Sequence, residues 1–373
     1  MDLQTLKTPS LVLDVELLRR NAAKISEIAT TQNVRLRPHV KTHKCVEVAR
    51  IQTAEHDGAI TVSTLAEARA FASSGFGDIT YAVPIEPGKF AEVVELLQQG
   101  VSLHVITDDV EIPAQLNEAA RRSGVTVSVF LKVDCGYHRC GVEPQSKEAK
   151  EIPRLITDAP NLQFAGILTH AGHSYHARSK KEIADIACME RDAMVELAAR
   201  LRSDSIEVPI VSIGSTPTIS HIDHLEGIDE IRPGNYIFFD AFQATLGSCA
   251  FEDCALTVLA AVIHRDRARR KVIIDAGAIA LSKDRGAVEF DPTCGYGRVL
   301  DLAGEETGLR VESLSQEHGI LQVADEAVFD RLKIGSRVRI LANHSCLTAA
   351  QHSFYNVLEN GEIVDRCEIH TGW

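Results

Sequence analysis

Apolar residues change period twice along the chain. Residues 8–14 alternate as a strand, and Asp14 stands where it can cap a helix over 15–30, in which Leu17, Leu18, Ala22, Ile25, Ile28 and Ala29 recur at helical spacing. From there to about Gly247, short apolar runs alternate with helical patterns. Strands are predicted at 34–37, 59–62, 79–83, 102–106, 125–133, 163–169, 208–213 and 227–232, and helices at 44–53, 65–74, 87–98, 112–122, 145–158, 179–202 and 217–221. Eight strands, each separated by a helix, imply a parallel sheet closed into a (β/α)8 TIM barrel, with an open doubly wound sheet as the alternative. No GxGxxG follows any of these strands, which argues against dinucleotide binding.

Beyond Gly247 the helical period disappears. Runs at 255–264, 271–279, 308–312, 317–324, 337–342 and 362–369 are short, β-rich and broken by Gly, Asp and Pro. The expected organisation is a barrel domain over 15–247 and a mostly β domain made of 1–14 with 248–373.

Composition narrows the function classes. The 373 residues are 45% apolar and 24% charged, as in ordinary globular proteins. A net charge of −13 argues against nucleic acid or an anionic membrane as partner. No apolar stretch approaches a membrane span, and the first residues lack a basic segment followed by an apolar run. Nine cysteines without a tight framework suggest reduced thiols, so a cytoplasmic location is expected.

The stretch Arg35-Leu36-Arg37-Pro38-His39-Val40-Lys41-Thr42-His43-Lys44 is strongly basic in an acidic chain. By composition it reads as a basic surface turn. At the end of the first barrel strand, however, Lys41 or Lys44 becomes a candidate reactive amine, because neighbouring cations disfavour its protonated form. Gly214-Ser215-Thr216 and Gly234-Asn235 follow the seventh and eighth strands, where this architecture places phosphate sites. A phosphate site together with a reactive lysine suggests pyridoxal phosphate. In the β-rich part, His344 and Cys346 stand two apart on an expected strand and project to one side, a pair suited to zinc. His318 lies in another β-like run.

Taken in order, Arg37-Pro38-His39-Val40-Lys41-Thr42-His43-Lys44, Ser63-Thr64-Leu65, Asp134-Cys135-Gly136-Tyr137-His138-Arg139-Cys140-Gly141, Thr169-His170-Ala171-Gly172, Gly214-Ser215-Thr216-Pro217-Thr218, Arg232-Pro233-Gly234-Asn235-Tyr236, Gln316-Glu317-His318-Gly319 and Asn343-His344-Ser345-Cys346 resemble the D-threonine aldolase / D-serine dehydratase family of alanine racemase-like, fold-type III pyridoxal phosphate enzymes. The resemblance spans essentially the whole chain. It implies that Lys41 holds the cofactor as a Schiff base, that Arg139 contacts its phenolic oxygen and that Tyr175 lies near its pyridine nitrogen. Gly214, Ser215, Thr216, Gly234, Asn235 and Tyr236 complete the cofactor site. His344 and Cys346 become ligands of a divalent metal, zinc or else manganese, magnesium or cobalt. A homodimer is implied as well.

His-x-Cys at the metal pair is the pattern of the family's dehydratases, whereas its D-threonine aldolases carry His-x-Asp. The implied reaction is therefore β-elimination from a small D-configured β-hydroxy amino acid, such as D-serine or D-threo-3-hydroxyaspartate, to a 2-oxo acid and ammonia. Lys41 would remove the α-proton, with the metal acting as Lewis acid on the hydroxyl. The alternative is aldol cleavage to glycine and an aldehyde, with His170 or His318 deprotonating the hydroxyl. An amino-acid racemase and a non-catalytic cofactor-binding protein are the remaining readings.

Overall fold

The structure, a computed structural model, describes residues 2–373; residue 1 of the expected β-rich domain lies outside the described residues. Contacts group the chain into two compact units. One comprises Lys24–Lys41, Val48–Gly234 and the last four residues; the other comprises the segment up to Ala23, Thr42–Glu47 and Asn235–Ile369.

Strand β1 (Ser10–Asp14) is followed by the helix Val15–Thr31, whose first N–H groups are received by Asp14 Oδ1. The barrel strands come next: β2 (Arg35–Leu36), β3 (Ile60–Val62), β4 (Asp78–Pro84), β5 (Ser102–Thr107), β6 (Val127–Lys132), β7 (Leu162–Leu168), β8 (Ile210–Ile213) and β9 (Glu230–Ile231). They pair in the order β2-β9-β8-β7-β6-β5-β4-β3, every neighbour parallel. A parallel bridge between His39 and Thr61 joins the two ends, so the sheet is a closed barrel and not an open doubly wound one. Strands buried on both faces must be apolar almost continuously, as in Phe130-Leu131 of β6 and Ile167-Leu168 of β7.

Buried charges of the barrel unit form a network. Arg37 is fully buried; it donates from Nε to Glu230 at 2.6 Å and from Nη1 to Asp78 at 2.5 Å, and His104 Nε2 lies 3.1 Å from Asp78. Burial alone would lower the pKa of Arg37, but Glu230 and Asp78 overcome it and hold the guanidinium above its ordinary value. Paired in this way, the buried charge is tolerated.

The second unit is built on β10 (Leu256–Asp266), β11 (Lys271–Ile274), β12 (Arg298–Leu300), β13 (Glu306–Leu314), β14 (Gly319–Gln322), β15 (Arg337–Leu341), β16 (Phe354–Glu359) and β17 (Glu362–Glu368). The sheet order is β11-β14-β13-β12-β15-β10-β1-β16-β17, antiparallel except where β1 runs parallel to β16. Leu3, Leu6, Val12, Leu259 and Leu358 form one core cluster here.

Three local differences from the sequence reading have physical causes. The strand expected at 271–279 stops at Ile274, because Gly277 passes so close to the 316–318 turn that a Cβ would lie 2.4 Å from Gln316 O and His318 N. β12 and β16 were not expected; β12 is three residues long, and β16 mixes the exposed Phe354 and polar Asn356 among its buried positions. His344 and Cys346 are not on a strand. β15 ends at Leu341, Asn343 Nδ2 donates to the carbonyls of Arg285 and Gly295, and Ser345 N donates to Asp240. These bonds turn the chain so that His344 sits at the N-cap of the short helix Ser345–Ala349.

Candidate functional site

In the barrel unit, the loops after successive strands carry the expected residues. Lys41 is half-buried in the 3-10 turn Val40–Thr42, which follows β2. Between β6 and the next helix, Asp134 Oδ1 receives the N–H groups of Gly136, Tyr137 and His138, coiling the loop so that Arg139 is presented at its exposed tip. The Arg139 guanidinium lies 5.2 Å from the centre of the Tyr137 ring, a cation–π contact. Tyr175 is half-buried on the 3-10 helix Gly172–His176 after β7.

His170 lies on the same side of β7 and is also half-buried. Its Nδ1 is 3.4 Å from Gly214 O, to which it donates, leaving Nε2 with a lone pair. Burial, then the positive charges of Lys41, Lys132, Arg139 and Arg232, hold its pKa well below the ordinary histidine value. It is therefore a neutral imidazole at neutral pH and can accept a proton.

The turn after β8 is constrained by its own hydrogen bonds. Gly214 has φ +118, in the region that favours glycine, and a Cβ there would meet Ile219 at 3.1 Å and Arg232 N at 3.3 Å. Ser215 caps the helix Thr216–His221 in a reciprocal box with Thr218. Gly214 N donates to Glu190 Oε1 at 3.2 Å and Ser215 N donates to Thr218 Oγ1 at 3.0 Å. Two of the N–H groups expected to meet a phosphate are thus already engaged, one by the helix Lys180–Ser203 and one by Thr218. Glu190 Oε1 also receives Ala171 N at 2.9 Å, so one buried carboxylate ties the loops after β7 and β8 together. Arg232 supports the same layer, donating to Ser212 Oγ at 2.8 Å and to Thr169 O, and burial lowers its pKa to about 10. Gly234 closes this unit; the next residues, Asn235–Ile237, form a 3-10 turn in which Tyr236 is buried, and the first N–H groups of such a turn have no partner within it.

A cavity of about 480 Å3 opens beside the Asp134 loop, lined by Asp134, Cys135, His138, Met189 and Glu196 among others. Lys41, Arg139 and the Gly214 turn do not line it.

The other unit holds His344 and Cys346, the pair expected to bind a metal. His344 Nδ1 is 2.7 Å from Asp284 Oδ2, which fixes the tautomer and leaves Nε2 to a ligand. Burial would lower the His344 pKa, but Asp284 and Cys346 overcome it and raise it well above the usual value. Burial likewise opposes ionisation of Cys346, yet the hydrogen bond with His344 prevails and lowers the thiol below its ordinary range. Cys346 Sγ lies 3.5 Å from Thr42 Oγ1 and 3.5 Å from Asn235 Nδ2. Thr42 is the residue that follows Lys41. Asn235 Nδ2 also donates to Asp240 Oδ2 at 2.8 Å, and its Oδ1 is buried with no protein partner among the described residues. An oriented imidazole beside a thiol poised to ionise is a donor set that fits a borderline-soft divalent ion. His318 is placed apart from these groups in the hairpin turn between β13 and β14, exposed to solvent.

Asp284, Asp240 and Glu190 were not singled out in the sequence. Glu190 carried a signal: it continues the buried stripe Ile183, Ile186, Ala187, Met194 and Leu197 of the helix Lys180–Ser203, an acid on an apolar face. Asp240 precedes and caps the helix Ala241–Leu246. Asp284, in a charged loop, carried none.

Comparison with known proteins agrees with this geometry. The profile described as "Alanine racemase, N-terminal domain" matches residues 13–241, and that described as "Putative serine dehydratase domain" matches 255–358. The chain is 39% identical to the D-threo-3-hydroxyaspartate dehydratase of Delftia sp. (strain HT23), covering 100% of this chain and 99% of that one. It is 36% identical to the D-serine dehydratase of Dictyostelium discoideum, covering 100% and 98%. A solved structure of a D-threo-3-hydroxyaspartate dehydratase, a cysteine-to-alanine mutant in the metal-free form, superposes with a TM-score of 0.97 at 38% identity over 100% of both chains. The chain belongs to the D-serine dehydratase-type lyases of the alanine racemase-like fold, which work with pyridoxal phosphate and a divalent metal.

Proposed function

We propose that this lyase is a dehydratase of small D-configured β-hydroxy amino acids, with D-serine and D-threo-3-hydroxyaspartate as the substrates to try first, giving a 2-oxo acid and ammonia. The observation that carries the reading is the His344–Cys346 pair with Asp284 behind it: a thiol and an imidazole prepared for a metal, in the His-x-Cys form. Lys41 would hold the cofactor and would be the base that takes the α-proton of the substrate. Arg139, Tyr175, Ser215, Thr216, Gly234, Asn235 and Tyr236 hold the cofactor, with the Gly214 and Ser215 N–H groups and the Ser215 hydroxyl engaged by Glu190 and Thr218. Gly214 contributes the turn itself. When bound, pyridoxal phosphate supplies the electron sink and the metal supplies a Lewis acid for the departing hydroxyl.

His170 supports a second reading. A neutral, cation-surrounded imidazole with Nε2 open is suited to take the β-hydroxyl proton in aldol cleavage, which would yield glycine and an aldehyde. His318, exposed on its hairpin, is the weaker candidate for that base. The family also supports a homodimer, and the nine cysteines, all free, support the cytoplasmic location we assign.

The test is incubation with D-serine, D-threonine and D-threo-3-hydroxyaspartate, with and without chelator, while 2-oxo acid, ammonia and aldehyde are assayed. Ammonia and 2-oxo acid in chelator-sensitive amounts are expected. Aldehyde without ammonia would replace the dehydratase with the aldolase, and turnover indifferent to chelator would remove the metal from the reaction.

A further inference from the structure

A second cluster of soft ligands lies in the β-rich unit, and the lyase chemistry leaves it unused. Cys45 Sγ, a carboxylate oxygen of Glu47 and Cys367 Sγ all lie within 4.8 Å of one another. The two sulfurs come from segments that the fold fixes independently. Lys44 has φ +52 and Cys45 N donates to His43 Nδ1 at 3.0 Å, so the backbone bends sharply just before Cys45. Cys367 lies opposite Tyr355 in the β16–β17 ladder, and Tyr355 Oη donates to His43 O at 2.7 Å. One tyrosine thus holds the His43–Cys45 bend against the strand pair that carries Cys367.

The surroundings match the chemistry. Cys45 is fully buried and Cys367 nearly so, whereas Glu47 is exposed and leaves a path to solvent. Cys45 Sγ already donates to Glu47 Oε2 at 3.2 Å. The hydrogen bond with Cys45 also holds the Cys367 thiol below its usual range.

We propose that Cys45, Glu47 and Cys367 form a second metal site, distinct from the His344–Cys346 pair, for a thiophilic divalent ion such as zinc. In a tetrahedral site with bonds of 2.0–2.3 Å the donors lie about 3.5–4 Å apart, so the observed spread needs contraction of no more than about 1 Å. Two thiols lose their protons to solvent as the ion binds, Glu47 adds its carboxylate, and a water takes the fourth position, leaving one net negative charge. The consequence is mechanical. Cys367 is the one buried residue of β17, an edge strand of the nine-stranded sheet, and the ion would pin that edge to the segment that follows Lys41. The site stands on this geometry and does not depend on the lyase reading.

The experiment uses the full chain saturated with pyridoxal phosphate and loaded with Co2+, read by metal content per chain and by thiolate-to-cobalt absorption. The double variant His344→Ala/Cys346→Ala is expected to keep one Co2+ with that absorption, and adding Cys367→Ser should abolish it while the far-ultraviolet circular dichroism is retained. In the same double-variant background, Glu47→Gln, at an exposed position, should weaken Co2+ binding by about tenfold or more. The proposal fails if the double variant binds no Co2+, if Cys367→Ser leaves its stoichiometry unchanged, or if freshly purified protein carries Cys45 and Cys367 as a disulfide, two hydrogens lighter.

Discussion

Arg37 shows what a single side chain can conceal. In the sequence it is one of four Arg and Lys residues in ten, and nothing local separates it from Arg35 or Lys41. The fold turns it fully inward, to Asp78 and Glu230, which lie 41 and 193 residues away in the chain. Arg37→Met should therefore cost about 3–5 kcal/mol, because it takes from the buried Glu230 its close counter-charge and leaves Asp78 to Arg35. The check is the urea midpoint, which should fall well below that of Arg35→Met, a partly exposed neighbour. Asp284 hides for the same reason, since its partner His344 is 60 residues distant. Asp284→Asn keeps the size of the side chain but weakens its hold on His344 Nδ1, so metal affinity should fall about 10–100-fold while the visible absorption of the bound cofactor stays unchanged. Residues whose chemistry is intrinsic, such as Lys41, His344 and Cys346, could be proposed from the sequence; residues that act by orienting others across long separations could not.

At the scale of elements, hydrophobic period sufficed for the barrel. All eight of its strands were anticipated from short apolar runs alternating with helical periods, although β2 and β9 reduce to Arg35–Leu36 and Glu230–Ile231. Period failed where backbone geometry is set by side-chain hydrogen bonds, as at Asn343 and Ser345, which end β15 and place the metal pair on a helix cap. The loops after β7 and β8 are a second such case. Glu190 joins them by receiving Ala171 N and Gly214 N, and replacing it with alanine leaves two buried N–H groups unsatisfied at about 1–3 kcal/mol each. Glu190→Ala should accordingly raise the dissociation constant for pyridoxal phosphate by tenfold or more, measured by fluorescence titration of the apo-protein. His170, on the first of these loops, gives the fold a pH dependence. Its folded pKa is depressed, so as pH falls below about 6.5 the unfolded chain takes up a proton that the folded chain refuses, and stability declines. The wild-type urea midpoint should drop between pH 7.5 and pH 5.5, and His170→Asn should show a smaller drop.

The whole molecule divides its chemistry between two units. Lys41 and the Gly214 turn after β8 belong to the barrel unit, and the His344–Cys346 pair belongs to the β-rich unit. Chain continuity connects them: Thr42 follows Lys41 directly, and its hydroxyl lies 3.5 Å from Cys346 Sγ. This division predicts a double dissociation. Chelator should abolish ammonia release from D-serine without removing the visible absorption of the cofactor, since neither Lys41 nor the Gly214 turn supplies a metal ligand. Lys41→Ala should do the converse, removing that absorption and lowering turnover by about a hundredfold or more, while the metal that the His344–Cys346 pair binds stays in place. Parallel measurement of metal content, absorption and ammonia on the same three samples checks both halves. Loss of the pair's metal in Lys41→Ala, or loss of the cofactor on chelation, would mean that the two groups depend on each other for binding and not merely for turnover.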